Sequence, residues 1–329
     1  MEETYMEMLT RRAKNAATEA AKLGTAEKNR GLLSVADELI SQQEMILAEN
    51  EKDLAAAREK GIKQSLIDRL ALSEKRIADM AEGLRQIAGL DDPIGEVLYM
   101  KTRPNGLRIG QKRVPLGVVG IIYESRPNVT ADAFGLCFKT GNAVILRGGS
   151  DAIHSNQAIV RAIKTGLRKE RLCQDLVVLV EDTSRDVVND MMKMHGGIDV
   201  LIPRGGAGLI ANVVENSTVP VIETGTGNCH VYVDETADIR MAADIVENAK
   251  TQRMGVCNAC ESLVVHSGIA EAALPQIVQK LKNHDVEIRG DERAQEICKE
   301  IIPATEEDWG TEYLDAIISV KIVDSIDEA

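Results

Sequence analysis

The amino-acid sequence predicts an α/β protein with a parallel sheet at its centre, a helical segment before the sheet and a smaller α/β region after it. Residues 1 to about 90 contain no proline and carry apolar residues at helical spacing. From Val114 onward, short β-branched runs alternate with amphipathic segments, which is typical of βαβ units. With 329 residues, 44% of them hydrophobic, the chain is long enough for two domains. We expect these to comprise residues 1–223 and 224–329.

The last helix of the N-terminal segment shows the helical pattern most clearly. Ser73 is a suitable N-cap, because its hydroxyl can accept a backbone N–H of the first turn. Apolar residues then recur at positions i, i+3, i+4 and i+7, which places them on one face. Pro93 and Gly95 interrupt the pattern, since proline lacks a backbone donor and glycine permits a turn. The apolar face, which we interpret as packing, comprises Ile77, Met80, Ala81, Leu84 and Ile87.

The central region reads as five buried strands with helices between them, the arrangement of a Rossmann-like domain. The predicted strands are Val118–Tyr123, Ala143–Leu146, Leu176–Val180, Asp199–Ile202 and Val219–Ile222. The helices between them are expected near residues 130–140, 155–168, 184–195 and 206–214. After Glu223 the same analysis predicts strands at 230–233 and 262–266 and helices near 237–249, 270–282 and 292–302.

Composition excludes several classes of function. A net charge of −13 and only eight aromatic residues argue against nucleic-acid binding, which needs cations and stacking surfaces. The sequence contains no run of eighteen apolar residues and its first residues are acidic and polar, so we expect a cytoplasmic protein without membrane contact. Six irregularly spaced cysteines do not form a disulfide pattern. Residues 97–150 nevertheless carry eight basic and two acidic residues, a local field that suits a small anion.

The stretch Asn248–Cys260 contains the candidate nucleophile. Cys257 follows a glycine-containing turn and has Arg253 and Asn258 nearby in sequence. Cationic and amide donors stabilise a thiolate, which is the reactive form of cysteine. A buried structural cysteine is the alternative, because cysteine is among the most buried residue types. Cys257 and Cys260 also form a C-x-x-C pair, but two ligands without a second pair are weak evidence for zinc, and we expect no metal site; a disulfide between them remains a minor alternative.

Four ordered motifs carry a resemblance to a known family. They are Pro115–Thr130, Lys139–Ser150, Glu223–Asn228 and Thr251–Ala259. Together they resemble the gamma-glutamyl phosphate reductases, also called glutamate-5-semialdehyde dehydrogenases, a branch of the aldehyde dehydrogenase superfamily. The resemblance implies an aldehyde-dehydrogenase-like fold, with a Rossmann-like cofactor domain and a smaller catalytic α/β domain.

The cofactor site implied by the resemblance lies at strand ends. The sequence has neither a G-x-G-x-x-G fingerprint nor a Walker A motif. In the superfamily the strand end corresponding to Arg147 contacts the adenosine ribose, usually through a lysine. A guanidinium can bind a 2′-phosphate with two parallel hydrogen bonds, so the resemblance implies NADPH. Without the resemblance, glycine-rich turns at strand ends would be interpreted as ordinary connections. The implied cofactor-binding residues are Arg147, Gly148, Gly149, Ser150, Pro203, Arg204, Gly205 and Gly206.

The resemblance also implies a reaction and roles for other residues. Cys257 would attack the acyl carbon of L-glutamyl 5-phosphate, phosphate would leave, and reduction of the thioester would give L-glutamate 5-semialdehyde, the second step of proline biosynthesis. Asn128 would be the side-chain oxyanion donor, while Arg126, Arg253 and Asn258 would bind substrate. Glu223 stands where hydrolytic relatives carry a general base; we expect it to orient groups or relay a proton, or else to cap a nearby backbone.

Two other functions stay open at this point. One is a hydrolytic, NAD-dependent aldehyde dehydrogenase, which the arginine at position 147 and the motif Arg126–Asn128 both disfavour. The other is a non-catalytic truncated homologue, because family members continue beyond Ala329 through a Glu-Phe-Gly motif and the strands that pair subunits. With a complete C-terminus the resemblance implies a homo-oligomer. It also implies a small-molecule substrate that glutamate 5-kinase hands over.

Overall fold

The computed structural model describes residues 3–225 and 227–329 and has the predicted mixed α/β fold with parallel sheets. The chain divides into two compact units, the first ending at Thr224 and the second running from Gly225 to Ala329. The sequence-based boundary, after residue 223, is one residue earlier. Within the described ranges no helix is long and apolar enough to cross a membrane.

The N-terminal segment is helical, as predicted. Ser73 caps the fifth helix by accepting the Arg76 N–H at 3.2 Å, and Ile77 and Leu84 on its apolar face are 0% and 1% exposed. Met80 and Ala81 are buried on the same face. The five helices are α1 (Tyr5–Ala20), α2 (Thr25–Ser41), α3 (Gln43–Glu59), α4 (Gln64–Leu70) and α5 (Glu74–Gly89).

An antiparallel hairpin that the sequence analysis did not predict follows these helices. Its strands are β1 (Val97–Thr102) and β2 (Arg108–Lys112), and every residue in both is exposed. The exposed residues include large apolar side chains, among them Leu98, Tyr99 and Met100. A strand with no buried face lacks the alternation of apolar and polar residues by which strands are recognised in sequence.

The first unit contains a four-stranded, wholly parallel sheet in the order β5-β4-β3-β6. Its strands are β-branched runs that are almost entirely buried, as expected for a sheet covered on both faces. The strands are β3 (Val118–Tyr123), β4 (Ala143–Arg147), β5 (Val177–Leu179) and β6 (Val200–Arg204). The helices that follow them are α6 (Asn128–Lys139), α7 (Ile153–Lys169), α8 (Asp186–Met192) and α9 (Ala207–Asn216).

The predicted strand Val219–Ile222 is wrong as a strand. Only one parallel bridge forms there, between Leu201 and Val221, with hydrogen bonds from Leu201 N–H to Pro220 O at 2.8 Å and from Ile222 N–H to Leu201 O at 2.9 Å. Pro220 has no backbone donor, so a regular ladder cannot continue through it.

The second unit contains a five-stranded parallel sheet in the order β10-β9-β11-β8-β7. Its strands are β7 (Cys229–Val233), β8 (Cys260–His266), β9 (Glu287–Gly290), β10 (Ile302–Pro303) and β11 (Ile317–Val323). Its helices are α10 (Ile239–Thr251), α11 (Ser267–Lys282) and α12 (Glu292–Ile297). The last helix is shorter than the predicted 292–302, because residues near Pro303 favour extended backbone and form β10 instead.

The strand order of the first unit determines where a ligand can bind. From β3 the chain moves outward through β4 and β5, and then returns to place β6 on the other side of β3. Such a reversal opens a crevice at the carboxyl ends of the two strands, which is where open α/β sheets bind ligands. In the register, Tyr123 lies beside Arg204 and Ile122 lies beside Arg147, so three strand ends meet at one edge.

Candidate functional site

The edge of the first sheet brings together three loops that the sequence analysis had identified separately. They follow β3, β4 and β6, and each runs into a helix or a 3₁₀ turn. Glu223 also lies toward this edge, because the bridge at Val221 is parallel to β6; its side chain is exposed.

The loop after β3 contains Arg126 and Asn128. Arg126 is half-buried, and its backbone N–H donates to the carbonyl oxygen of Glu124 at 2.6 Å. Asn128 is the exposed first residue of α6, and its amide nitrogen donates to the Asp132 carboxyl group at 3.1 Å. Burial raises the pKa of that carboxyl group. The Asn128 amide is therefore engaged within its own helix.

Arg147 ends β4 with its guanidinium directed at backbone carbonyl groups. One terminal nitrogen donates to the carbonyl oxygens of Thr183 at 2.9 Å and Ser184 at 3.2 Å, and the other donates to that of Gly148. Burial lowers the pKa of the guanidinium, while nearby Asp182 and Asp151 oppose that change. An arginine stays protonated at neutral pH even so. Arg147 therefore ties the strand end to the loop after β5.

Gly148 lies where no side chain fits. A Cβ built there would lie 2.3 Å from Asn156 Nδ2 and 3.0 Å from Tyr123 Cζ. Both neighbours are buried, and they are linked through Thr130, which bonds to the Tyr123 hydroxyl at 2.7 Å and to Asn156 at 2.9 Å. The turn therefore packs directly on these hydrogen-bonded side chains, which is possible because Gly148 has no side chain.

Gly149 and Ser150 complete the turn, and Ser150 begins a 3₁₀ helix, Ser150–Ala152. The next residue, Asp151, accepts a hydrogen bond from the Ser125 hydroxyl. The loop after β3 is therefore bonded to the turn after β4. Sequence reasoning did not identify Ser125 or Asp151 as a contact.

The loop after β6 begins at Pro203 and Arg204, which end the strand; Arg204, Gly205 and Gly206 are exposed. Gly206 is the N-cap of α9, and its N–H donates to Glu124 Oε2 at 3.0 Å. A Cβ on Gly205 would lie 2.7 Å from the Glu124 carboxyl carbon. Sequence reasoning missed Glu124, although it is one of only two acidic residues in the basic stretch 97–150, and that contrast is a usable signal.

The second unit holds the cysteine turn, which connects α10 to β8. Cys257, Asn258 and Arg253 are all exposed there. A hydrogen bond from Ala259 N–H to Val256 O, at 3.0 Å, closes a tight turn around Cys257. Cys260, three residues later, is 2% exposed, and burial raises the pKa of its thiol to about 11. The two cysteines of the C-x-x-C pair therefore differ: Cys257 is exposed to solvent and Cys260 is packed in the core.

The segment that leads into β7 contacts the cysteine turn. A Cβ on Gly227 would lie 2.5 Å from the Cys257 carbonyl oxygen, so only glycine allows this approach. The Cys229 thiol donates to the same oxygen at 3.4 Å. Asn228 accepts from Ser262 Oγ at 3.0 Å and donates to the Trp309 carbonyl at 3.0 Å. Gly227 of the glycine-rich motif Glu223–Asn228 thus packs against the turn.

The sequence profile of the aldehyde dehydrogenase family matches residues 2–297. A gamma-glutamyl phosphate reductase of Lachnospira eligens is 62% identical over 324 residues, which cover 98% of this chain and 78% of that relative. The crystal structure of the Thermotoga maritima gamma-glutamyl phosphate reductase superposes with a TM-score of 0.89 at 47% identity, covering 99% of this chain and 78% of that one. The crystal structure of the Saccharomyces cerevisiae gamma-glutamyl phosphate reductase superposes with a TM-score of 0.64 at 25% identity, covering 99% of this chain and 82% of that one.

Proposed function

The chain belongs to the aldehyde dehydrogenase family, and within that family we propose that it reduces L-glutamyl 5-phosphate to L-glutamate 5-semialdehyde with release of phosphate, using NADPH. This reaction is the second step of proline biosynthesis from glutamate. The observation that carries the proposal is the exposed thiol of Cys257 on a turn packed against Gly227, in a chain 62% identical to a reductase of that name.

Cys257 is the proposed nucleophile. Its thiolate attacks the acyl carbon, the bond from that carbon to the phosphate oxygen breaks, and a thioester with inorganic phosphate results. After hydride addition, the thiohemiacetal collapses, the carbon–sulfur bond breaks and the aldehyde leaves with the thiolate restored. The structure supports this role through accessibility: Cys257 is exposed, whereas Cys260 is buried.

The strand-end loops of the first unit fit a dinucleotide. At Gly148 and Gly205 a Cβ would clash with side chains of the protein, so glycine at these positions allows the turns to lie close to the residues beneath them. The N-terminal end of α9 and the turn before α7 lie at the same edge and present backbone N–H groups suited to phosphate. Arg204 is an exposed cation beside them. NADPH bound there supplies the hydride, and we propose that Arg147, Gly148, Gly149, Ser150, Pro203, Arg204, Gly205 and Gly206 hold it.

Other residues have proposed roles in binding and charge stabilisation. Arg126 and Arg253 are cations suited to the phosphate and carboxylate groups of the substrate. Asn258 lies next to the nucleophile, and its amide can donate to substrate oxygens. Asn128 can donate to the developing oxyanion once its amide turns away from Asp132. Glu223 serves orientation or proton relay.

The chemistry also indicates what surrounds this reaction. An acyl phosphate of glutamate must come from phosphorylation of the side-chain carboxylate, so we propose supply by glutamate 5-kinase in the cytoplasm. Self-association is proposed as well. It is supported by the hairpin of β1 and β2, whose large apolar side chains are exposed.

The test measures the reverse reaction, the phosphate-dependent reduction of NADP by L-glutamate 5-semialdehyde. We expect turnover that requires phosphate and is lost in Cys257→Ala. The matched control is Cys173→Ala, which removes an exposed thiol of the first unit. Phosphate-independent oxidation would indicate the hydrolytic alternative. A folded chain without turnover would refute the proposed activity.

A further inference from the structure

Two buried charged side chains flank the loop that carries Cys257. Lys250 lies in the last turn of α10, before the loop, and Glu261 is the second residue of β8, after it. Their side chains are 0% and 1% exposed, and Lys250 Nζ lies 2.6 Å from Glu261 Oε2. The ion pair therefore joins the two ends of the loop.

Most of the loop is exposed or half-buried, although Met254 packs against the core of the second unit. Gln252, Arg253, Cys257 and Asn258 are exposed, and the residues between Arg253 and Cys257 are half-buried. The conformation of such a segment depends on the positions of its ends as well as on its own contacts. The close approach of Gly227 to the Cys257 carbonyl oxygen and the hydrogen bond from the Cys229 thiol to the same oxygen are further contacts of the turn.

Glu261 connects the pair to a third segment. Its second carboxylate oxygen, Oε1, accepts the Leu314 N–H at 3.1 Å. Leu314 has φ of 52°, in the left-handed region that non-glycine residues rarely adopt, so this backbone is held in a specific conformation. The carboxylate thus fixes α10, β8 and the segment before β11 to one another.

Burial of an ion pair is not in itself a source of stability, because desolvation of the two charges offsets much of their attraction. A pair of apolar residues would hold α10 against β8 comparably well, but it would not fix the distance between two particular atoms. We propose that Lys250 and Glu261 are positioning residues for Cys257, which set the separation of the loop ends and so the direction of the thiol. This inference rests on the proposed role of Cys257 as the nucleophile.

A second buried ion pair provides a matched control. Lys28 and Asp92, in the first unit, have side chains 2% and 8% exposed and form a direct ion pair. Disrupting this pair removes a buried charge interaction of the same kind without altering the ends of the cysteine loop. Lys28→Met is therefore expected to lower stability while the reactivity of Cys257 stays unchanged.

The experiment measures two properties of folded enzyme: the rate at which iodoacetamide alkylates Cys257, located by mass spectrometry, and the kinetic constants with NADPH and substrate. The variants are Glu261→Gln, Lys250→Met/Glu261→Gln and Lys250→Arg. Exposed Cys173 serves as an internal reference for alkylation. The double variant leaves no unpaired buried charge and should fold.

We expect kcat to fall by about 100-fold in Glu261→Gln and in the double variant, the loss typical of a nucleophile displaced by about 1 Å. The alkylation rate at Cys257 should change in both variants, the KM for NADPH should not, and Lys250→Arg should retain most activity. A folded double variant with unchanged kcat and unchanged Cys257 alkylation would overturn the proposal. So would a double variant that does not fold, since that result shows a role in stability. Turnover retained in Cys257→Ala would instead refute the proposed nucleophile.

Discussion

The Glu124 carboxylate accepts a hydrogen bond from the Gly206 N–H, at 3.0 Å, where α9 begins. The start of a helix carries partial positive charge and unpaired N–H groups, so it attracts anions. In this chain a side chain of the protein provides the anion. The same end of α9 is where we propose that a cofactor phosphate binds, so Glu124 and the phosphate compete for one donor.

Removing the charge of Glu124 should therefore tighten cofactor binding. For Glu124→Gln we expect the Kd for NADPH to fall by about 2- to 5-fold at low salt, the usual size of one charge at a helix terminus. Titration calorimetry measures this change. Glu215→Gln, near the other end of α9, is the control and should leave the Kd unchanged. Weaker binding in Glu124→Gln would show instead that the carboxylate organises the loop.

Gly148 should tolerate no side chain. In Gly148→Ala the new methyl group would lie 2.3 Å from Asn156 Nδ2, so the buried chain through Thr130 must shift. We expect a loss of about 1–3 kcal/mol in the free energy of unfolding, together with weaker NADPH binding. Urea denaturation and titration calorimetry measure the two effects.

Gly89→Ala is the matched control for Gly148→Ala, because nothing lies within 4 Å of a Cβ at position 89 and this residue, at the end of α5, is not among the proposed cofactor contacts. It should leave both stability and NADPH binding close to those of the unaltered chain. Equal effects of the two substitutions would contradict the steric explanation.

The cysteines should differ in their response to pH. Burial raises the pKa of Cys260 to about 11 and that of Cys137 to about 12, so both stay protonated at about pH 9. Iodoacetamide at that pH should label exposed Cys257 and Cys173 in the folded chain, and all cysteines in urea. Labelling of Cys260 in the folded chain would contradict the buried position.

The raised thiol pKa values also have a consequence for stability. A cysteine in the unfolded chain ionises at about pH 8.5, so the protonated core thiols contribute fully to the free energy of unfolding below that pH. Their contribution is lost as the pH rises toward the folded-state values of about 11 for Cys260 and about 12 for Cys137. Urea unfolding across this pH range measures the loss. In Cys260→Ala the free energy of unfolding should fall less steeply as the pH rises above about 8.5.

Asp308 should contribute to stability at neutral pH. Burial alone would raise the pKa of its carboxyl group, but donors at Thr305, Tyr313 and Arg289, at 2.7 to 2.9 Å, outweigh burial and hold the pKa well below the usual range. A depressed carboxyl pKa stabilises the fold above the unfolded value of about 3.9, and that contribution is lost as the pH falls.

For Asp308→Asn we expect a loss of about 2 kcal/mol in the free energy of unfolding at pH 7, typical of a hydrogen bond to a charged group. The difference in the free energy of unfolding between Asp308→Asn and the unaltered chain should shrink by about pH 3, because the contribution of the Asp308 carboxylate is lost below the pKa of an unfolded aspartate. Urea unfolding at both pH values measures it. Asp327→Asn, at an exposed position near the end of the chain, should have no effect at either pH. A deficit independent of pH would contradict the electrostatic explanation.

The sequence predicted those parts of the fold in which a run of β-branched or apolar residues is also buried. The run Val118–Tyr123 is β-branched and wholly buried, and it forms β3 with the predicted bounds. Val219–Ile222 has similar composition but contains Pro220, whose missing donor outweighs the apolar pattern. The hairpin of β1 and β2 has no buried face, so no periodic pattern marks it.

The site shows a similar division. Strand ends and glycines identified the three loops, because turns after buried strands have a recognisable composition. The contacts within the site were not predictable from local sequence. Arg147 binds the carbonyl groups of Thr183 and Ser184, and Glu124 binds Gly206, at separations of 36, 37 and 82 residues. Such contacts depend on the order of the strands in the sheet, which local patterns do not specify.

The parallel pairing in both larger sheets also bears on how the chain folds. No tight turn can join two parallel neighbours, so each such pair forms only after a longer connection has closed. Long closures slow folding, because their entropic cost precedes the contacts that repay it. By contrast, β1 and β2 are separated by only a short turn and can pair early. We expect that hairpin to form within microseconds and the two parallel sheets to determine the overall folding time.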